Sequence, residues 1–128
     1  MKKRLLLFAS ALICCLFLAS CGKNMTFAIQ NAEKILIMSG STGKRAEITD
    51  QDTIRRITGN INSLSFERGS RIDSSGWSYN IRWYGAGGEE IESVTTGGTG
   101  TNLFYDGYNW SAVSGNIDTA LLDEALAE

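Results

Sequence analysis

One two-residue break constrains the fold more than any other feature of this chain. Asp106-Gly107 separates an apolar-polar run at 101–105 from a second run at 108–113. A two-residue Asp-Gly connection between such runs predicts a type I′ hairpin, because both central residues must take positive φ and these two types tolerate it. Upstream, Gly85-Ala86-Gly87-Gly88 and Gly97-Gly98-Thr99-Gly100 make two more turns. Trp77, Tyr79, Ile81 and Trp83 alternate with Ser78, Asn80, Arg82 and Tyr84, the period of two that marks a strand. Residues 89–96 supply the strand between the turns. Four successive strands on short connections predict an antiparallel meander.

The first half adds a hairpin and a helix. Residues 33–39 read as a strand, with Ile35 and Ile37 alternating against polar neighbours, and 44–49 read as its return across the Gly40-Ser41-Thr42-Gly43 turn. A preceding strand is expected over 26–30. Thr49 or Asp50 caps a helix whose Ile54, Ile57, Ile61 and Leu64 fall at spacings of 3, 4 and 3, forming one stripe. Arg55, Arg56, Asn60 and Asn62 lie off it. Gly59 costs about 1 kcal/mol against Ala, so this helix depends on tertiary packing. A last helix, capped by Asn116 or Asp118, lines one side with Ile117, Leu121 and Ala125, widened by Leu122 and Leu126. The expected fold class is α+β: an antiparallel meander sheet with one or two helices packed on one face.

The N-terminus follows a different pattern. Lys2, Lys3 and Arg4 precede an apolar run from Leu5 to Leu18, then the small residues Ala19 and Ser20, then Cys21. This is the layout of a secretory signal, and the run is too short for a membrane span of about 20 residues. Leu18-Ala19-Ser20-Cys21 resembles the lipobox of bacterial lipoproteins. The resemblance implies a diacylglyceryl group on the Cys21 thiol, cleavage just before it, and a chain held by membrane lipid on the extracytoplasmic side of the cell membrane. The expected organisation is a signal over 1–20, lipidated Cys21 and a short tether over 21–25, and a single small α+β domain over 26–128.

That processing would change the remaining chemistry. Cys14 and Cys15 leave with the signal and Cys21 carries lipid, so none of the three cysteines is left for a disulfide, a metal or nucleophilic catalysis. Losing Lys2, Lys3 and Arg4 leaves nine basic against fourteen acidic side chains, net −5. An acidic domain whose basic residues cluster only as Lys44-Arg45 and Arg55-Arg56 is not expected to bind nucleic acid.

Candidate catalytic groups are few. Without histidine, Ser-His-Asp and Cys-His catalysis are ruled out, and no cofactor or metal is expected. Ser39-Gly40-Ser41-Thr42-Gly43-Lys44 resembles a phosphate loop only in part: Met38 stands where its first glycine belongs, and Arg45 follows the lysine. A plain hairpin turn is expected there. Glu89, Glu90 and Glu92 form the densest acidic group, with Glu90 and Glu92 expected on one strand face and Glu89 on the other. A solvated edge is the leading reading; the alternative is a small envelope hydrolase pairing one of them with Asp73 or Asp106.

The aromatics Trp77, Tyr79, Trp83, Tyr84, Tyr105, Tyr108 and Trp110 are the other candidates. Two short helices cannot cover both faces of the sheet, so most of these rings are expected in the core, with Tyr84 and one of Tyr108 or Trp110 exposed as candidate binding residues. The run Gly76-Trp77-Ser78-Tyr79-Asn80-Ile81-Arg82-Trp83 with the later Tyr-Asp-Gly-Tyr hairpin resembles small lipoproteins of Gram-positive bacteria; this implies a similar α+β domain and assigns no site residues. The expected function is a membrane-anchored, non-enzymatic binding or interaction module of the cell envelope, whose partner is an envelope protein, peptide or glycan. The remaining alternative is a purely structural accessory lipoprotein.

Overall fold

The computed structural model describes residues 24–72 and 76–127. The expected signal, Cys21 and Asp73 lie outside the described residues. The described chain is an α+β fold: eight strands in one antiparallel sheet and two helices packed on one of its faces. In chain order they are β1 (Asn24–Thr26), β2 (Lys34–Ser39), β3 (Arg45–Ile48), α1 (Gln51–Ser63), β4 (Ser65–Arg71), β5 (Tyr79–Tyr84), β6 (Glu90–Gly97), β7 (Asn102–Tyr105), β8 (Tyr108–Ala112) and α2 (Thr119–Ala127). Across the sheet the order is β1-β4-β8-β7-β6-β5-β2-β3. The meander β5 to β8 is therefore central, the β2–β3 hairpin closes one side, and α1 carries the chain across the helical face to β4 on the other.

Local chemistry explains the boundaries. Asp50 is the N-cap of α1: its carboxylate accepts from the Thr53 N–H (2.9 Å) and hydroxyl (2.7 Å). These bonds hold the Asp50 carboxyl below its ordinary range, the Thr53 hydroxyl contributing most. Ile54, Ile57 and Ile61 are buried as the stripe predicts, and Leu64 is buried just past the helix. For α2 the cap is Asp118, which accepts from the Leu121 N–H (3.1 Å). Asp106 and Gly107 both take positive φ, 55° and 85°, as a type I′ turn requires. Ser39–Lys44 is a hairpin turn, closed by Ser39 N–H to Lys44 carbonyl (2.8 Å).

Three expectations need correction at the level of the fold. The first strand is Asn24–Thr26, inside the segment expected to be tether, and Met25 pairs with Phe66. Residues 27–30 are not strand; Phe27 and Ile29 are buried without a ladder, Phe27 edge-on to Phe66 and Tyr105. β4 has no counterpart among the expected elements. Only its Phe66 is fully buried, and it forms because β1 and β8 flank it with backbone partners.

The core lies between sheet and helices. Ile35, Ile37, Phe66, Ile81, Trp83, Val94 and Leu103 from the strands meet Ile54, Ile57, Ile61, Leu121, Leu122 and Ala125 from the helices. Asparagines fasten the layers. Asn62 receives the Ile29 N–H (3.0 Å) and donates to the Ile29 carbonyl (2.9 Å), standing in for a strand neighbour. Asn60 does the same for the entry to α2, through the Asn116 carbonyl and the Asp118 N–H.

Candidate functional site

Strand parity divides the side chains into two sets. Ile35, Ile37, Ile81, Trp83, Val94, Leu103 and Trp110 point toward the helices. Their neighbours in sequence point the other way, onto a face that neither helix covers. Its centre is Leu36, Met38, Asn80, Arg82, Tyr84, Ser93, Thr95 and Phe104.

Polar groups on this face are fixed by one another. Asn80 donates to the Thr95 hydroxyl (3.0 Å) and accepts from Arg82 Nε (3.0 Å). Arg82 lies 3.8 Å from the Glu90 carboxylate. The Lys34 ammonium sits 4.9 Å from the centroid of the Tyr84 ring. The Phe104 ring lies over Gly97, where any Cβ would come within 2.7 Å of its edge. Gly97 thus lets an aromatic ring lie flat across the sheet. On the far side, Asn109 holds the irregular segment of β4 through the Ser70 and Arg71 carbonyls, both at 3.4 Å.

Tyr84 is half-buried on the uncovered face. Tyr108 is half-buried against the core, with the Arg68 guanidinium 4.8 Å from its ring centroid. Trp110 is a correction: it is buried, pairs with Leu103 on the helical face, and donates from its indole to the Tyr105 carbonyl (2.9 Å). Neither Tyr108 nor Trp110 belongs to the uncovered face. Among the described residues the exposed ring is Trp77, beside a cavity of about 270 Å³ lined also by Ser41, Tyr79, Thr99 and Thr119.

The glutamates are likewise rearranged. A bulge at Ile91 lets Glu90 pair with Tyr84 while Glu92 pairs with Trp83, so Glu90 and Glu92 take opposite faces rather than sharing one. Glu92 accepts from the Tyr105 hydroxyl (3.1 Å) on the helical side. Burial, then this bond and the nearby charges of Glu92 and Asp106, push the Tyr105 hydroxyl pKa up. Glu89 folds its carboxylate over Gly85 and Gly87. The three carboxylates therefore have three separate surroundings. No cluster of three or more carboxylate or sulfur ligands occurs among the described residues.

A second tyrosine joins the layers. The Tyr79 hydroxyl donates to Asp123 of α2. Burial first, then this bond and the Asp123 charge, push its pKa up to about 12.

Comparison of the chain with known protein families, with curated proteins and with solved structures finds no match. The uncovered face carries the Asn80 amide, the Arg82 guanidinium and the rings of Tyr84 and Phe104.

Proposed function

We propose that this chain is a lipid-anchored lipoprotein of the extracytoplasmic membrane surface, and that its folded part is a non-enzymatic binding module. The reading rests on the uncovered sheet face, which carries Asn80, Arg82, Tyr84, Thr95 and Phe104. The partner class is an envelope protein, peptide or glycan.

The anchor is Cys21, supported by the basic, apolar and small-residue order that precedes it. Diacylation supplies two chains, enough for stable attachment where one is marginal. β1 begins three residues later, at Asn24. Three extended residues reach about 10–11 Å, so the sheet would sit against the headgroups.

The binding reading is tested by a photo-reactive residue at Thr95, in the middle of the face. In intact cells it should give a discrete adduct that disappears when Arg82→Ala and Tyr84→Ala are added. An adduct pattern unchanged by those substitutions, or no adduct at all, refutes the reading.

A further inference from the structure

The sheet is open, and its two edges differ. β1 is three residues long and β3 is four. The Lys44 carbonyl faces β2, where it accepts from Ser39 N–H. Alternation along an antiparallel ladder then turns the backbone groups of Ala46 and Ile48 toward β2 and those of Arg45 and Glu47 outward. Both outward residues are exposed, and their N–H and C=O groups have no hydrogen-bond partner among the described residues.

Exposed edges commonly carry charge that repels another strand. The order on β3 does the reverse for one particular visitor. From this geometry we propose that β3 is a self-pairing edge that takes the β3 strand of a second copy of this chain, antiparallel and centred on Ala46. In that register Arg45 stands opposite Glu47 of the second copy, and Glu47 opposite its Arg45. Each pair exchanges two backbone hydrogen bonds using the outward groups. Ala46 meets its counterpart on the two-fold axis, where a non-bonded pair brings Cα atoms to about 4.5 Å and a methyl group fits. Shifting the axis onto Arg45 or Glu47 sets like charges face to face, so the charge order selects this register.

Two neighbours reinforce the arrangement. Lys34 lies 3.8 Å from Glu47, so each Glu47 would sit between its own lysine and the incoming arginine. On the helical side the edge borders a groove of about 400 Å³ lined by Ala46, Ile48, Thr53, Ala125 and Leu126. Apolar Leu126 from each copy would flank the axis. The contact is self-complementary, as a two-fold interface requires. It does not depend on the lipid anchor.

Charge reversal tests it on the full chain in detergent by sedimentation equilibrium. The wild type should move from one-chain toward two-chain mass with concentration. Arg45→Glu or Glu47→Arg, each changing an exposed residue, should weaken association on the order of tenfold or more, because both pairs become repulsive. The double swap should restore it, and so should an equimolar mixture of the two single variants. Ala46→Cys under mild oxidation should form disulfide-linked dimers far faster than Ser111→Cys on central strand β8. A wild type that stays one chain, or an Ala46→Cys variant that cross-links no faster than Ser111→Cys, overturns the proposal. So does a single charge variant that self-associates as well as wild type.

Discussion

Thr58→Val isolates the bond that ties α1 to the sheet. Trp83 is wholly buried, and its indole donates to the Thr58 hydroxyl at 2.9 Å. Valine keeps the shape and β-branching of threonine, so helix propensity and packing change little. What changes is that a buried indole N–H loses its acceptor, at a cost of about 1–3 kcal/mol. A domain of this size has about 5–15 kcal/mol of stability in all, so the thermal midpoint should fall by roughly 5–20 °C. The assay is urea and thermal unfolding of four proteins: wild type, Thr58→Val, Trp83→Phe and the double variant. Once phenylalanine replaces the indole there is no N–H to orphan, so Thr58→Val should cost nearly nothing in that background. The coupling between the two sites should be about 1 kcal/mol or more. A Thr58→Val penalty equal in both backgrounds refutes the reasoning, because the loss would then come from the helix and not from the bond.

Tyr79 gives a pH prediction. Its folded pKa is raised to about 12, so its contribution to stability is complete below about pH 10 and is lost as pH rises through about 12. Tyr79→Phe should flatten the alkaline limb of a stability–pH profile, and an unchanged limb would count against the Asp123 bond. Gly97→Ala drives a methyl into the Phe104 ring and should cost about 1–3 kcal/mol by chemical denaturation, relieved by Phe104→Ala. Gly107→Val places a β-branched residue at φ 85° and should cost at least about 1 kcal/mol by the same measure. Cys21→Ser should abolish incorporation of labelled palmitate and leave the chain as an uncleaved precursor or a leaked soluble form on a gel and in the culture medium; a serine variant that still takes up label removes the anchor from the proposed function.

The residues differ in how openly they declare their roles. Local signals were legible: Asp106-Gly107 encodes its own turn, the Ile54-Ile57-Ile61 stripe its helix, and the 79–84 alternation its strand and buried face. β4 was not, because Ser65–Arg71 carries one buried apolar residue and owes its conformation to strands distant in sequence. The glutamate faces are not legible in the sequence, because a bulge shifts parity and the inserted Ile91 looks like any other strand residue. Trp110 held a readable clue. In Tyr108-Asn109-Trp110-Ser111-Ala112 the polar members alternate with the rings, and a strand that buries one face turns both rings inward. Asn60 and Asn62 lie off the apolar stripe of α1, and their role as backbone clamps depends on which loops reach them. The uncovered face was foreseeable as a consequence of having two helices for one sheet, but its membership was only partly so, since Phe104 becomes a platform through Gly97 on the adjacent strand.

The strand order also dictates timing. During synthesis β1, the β2–β3 hairpin and α1 emerge first, yet β2 has its second partner only in β5, and β1 pairs, among the described residues, with β4 alone. Leu121, Leu122 and Ala125, which complete the core beside β2, β3 and α1, come last. At 5–20 residues per second, roughly 4–15 s separate the appearance of Ile48 from that of Leu122. Through that interval Ile35 and Ile37 have no lid, and the pairing edge of β2 is open. The nascent chain is therefore most prone to aggregate while its N-terminal half is already outside the ribosome, and a chaperone that shields residues 34–48 would act on it at that stage.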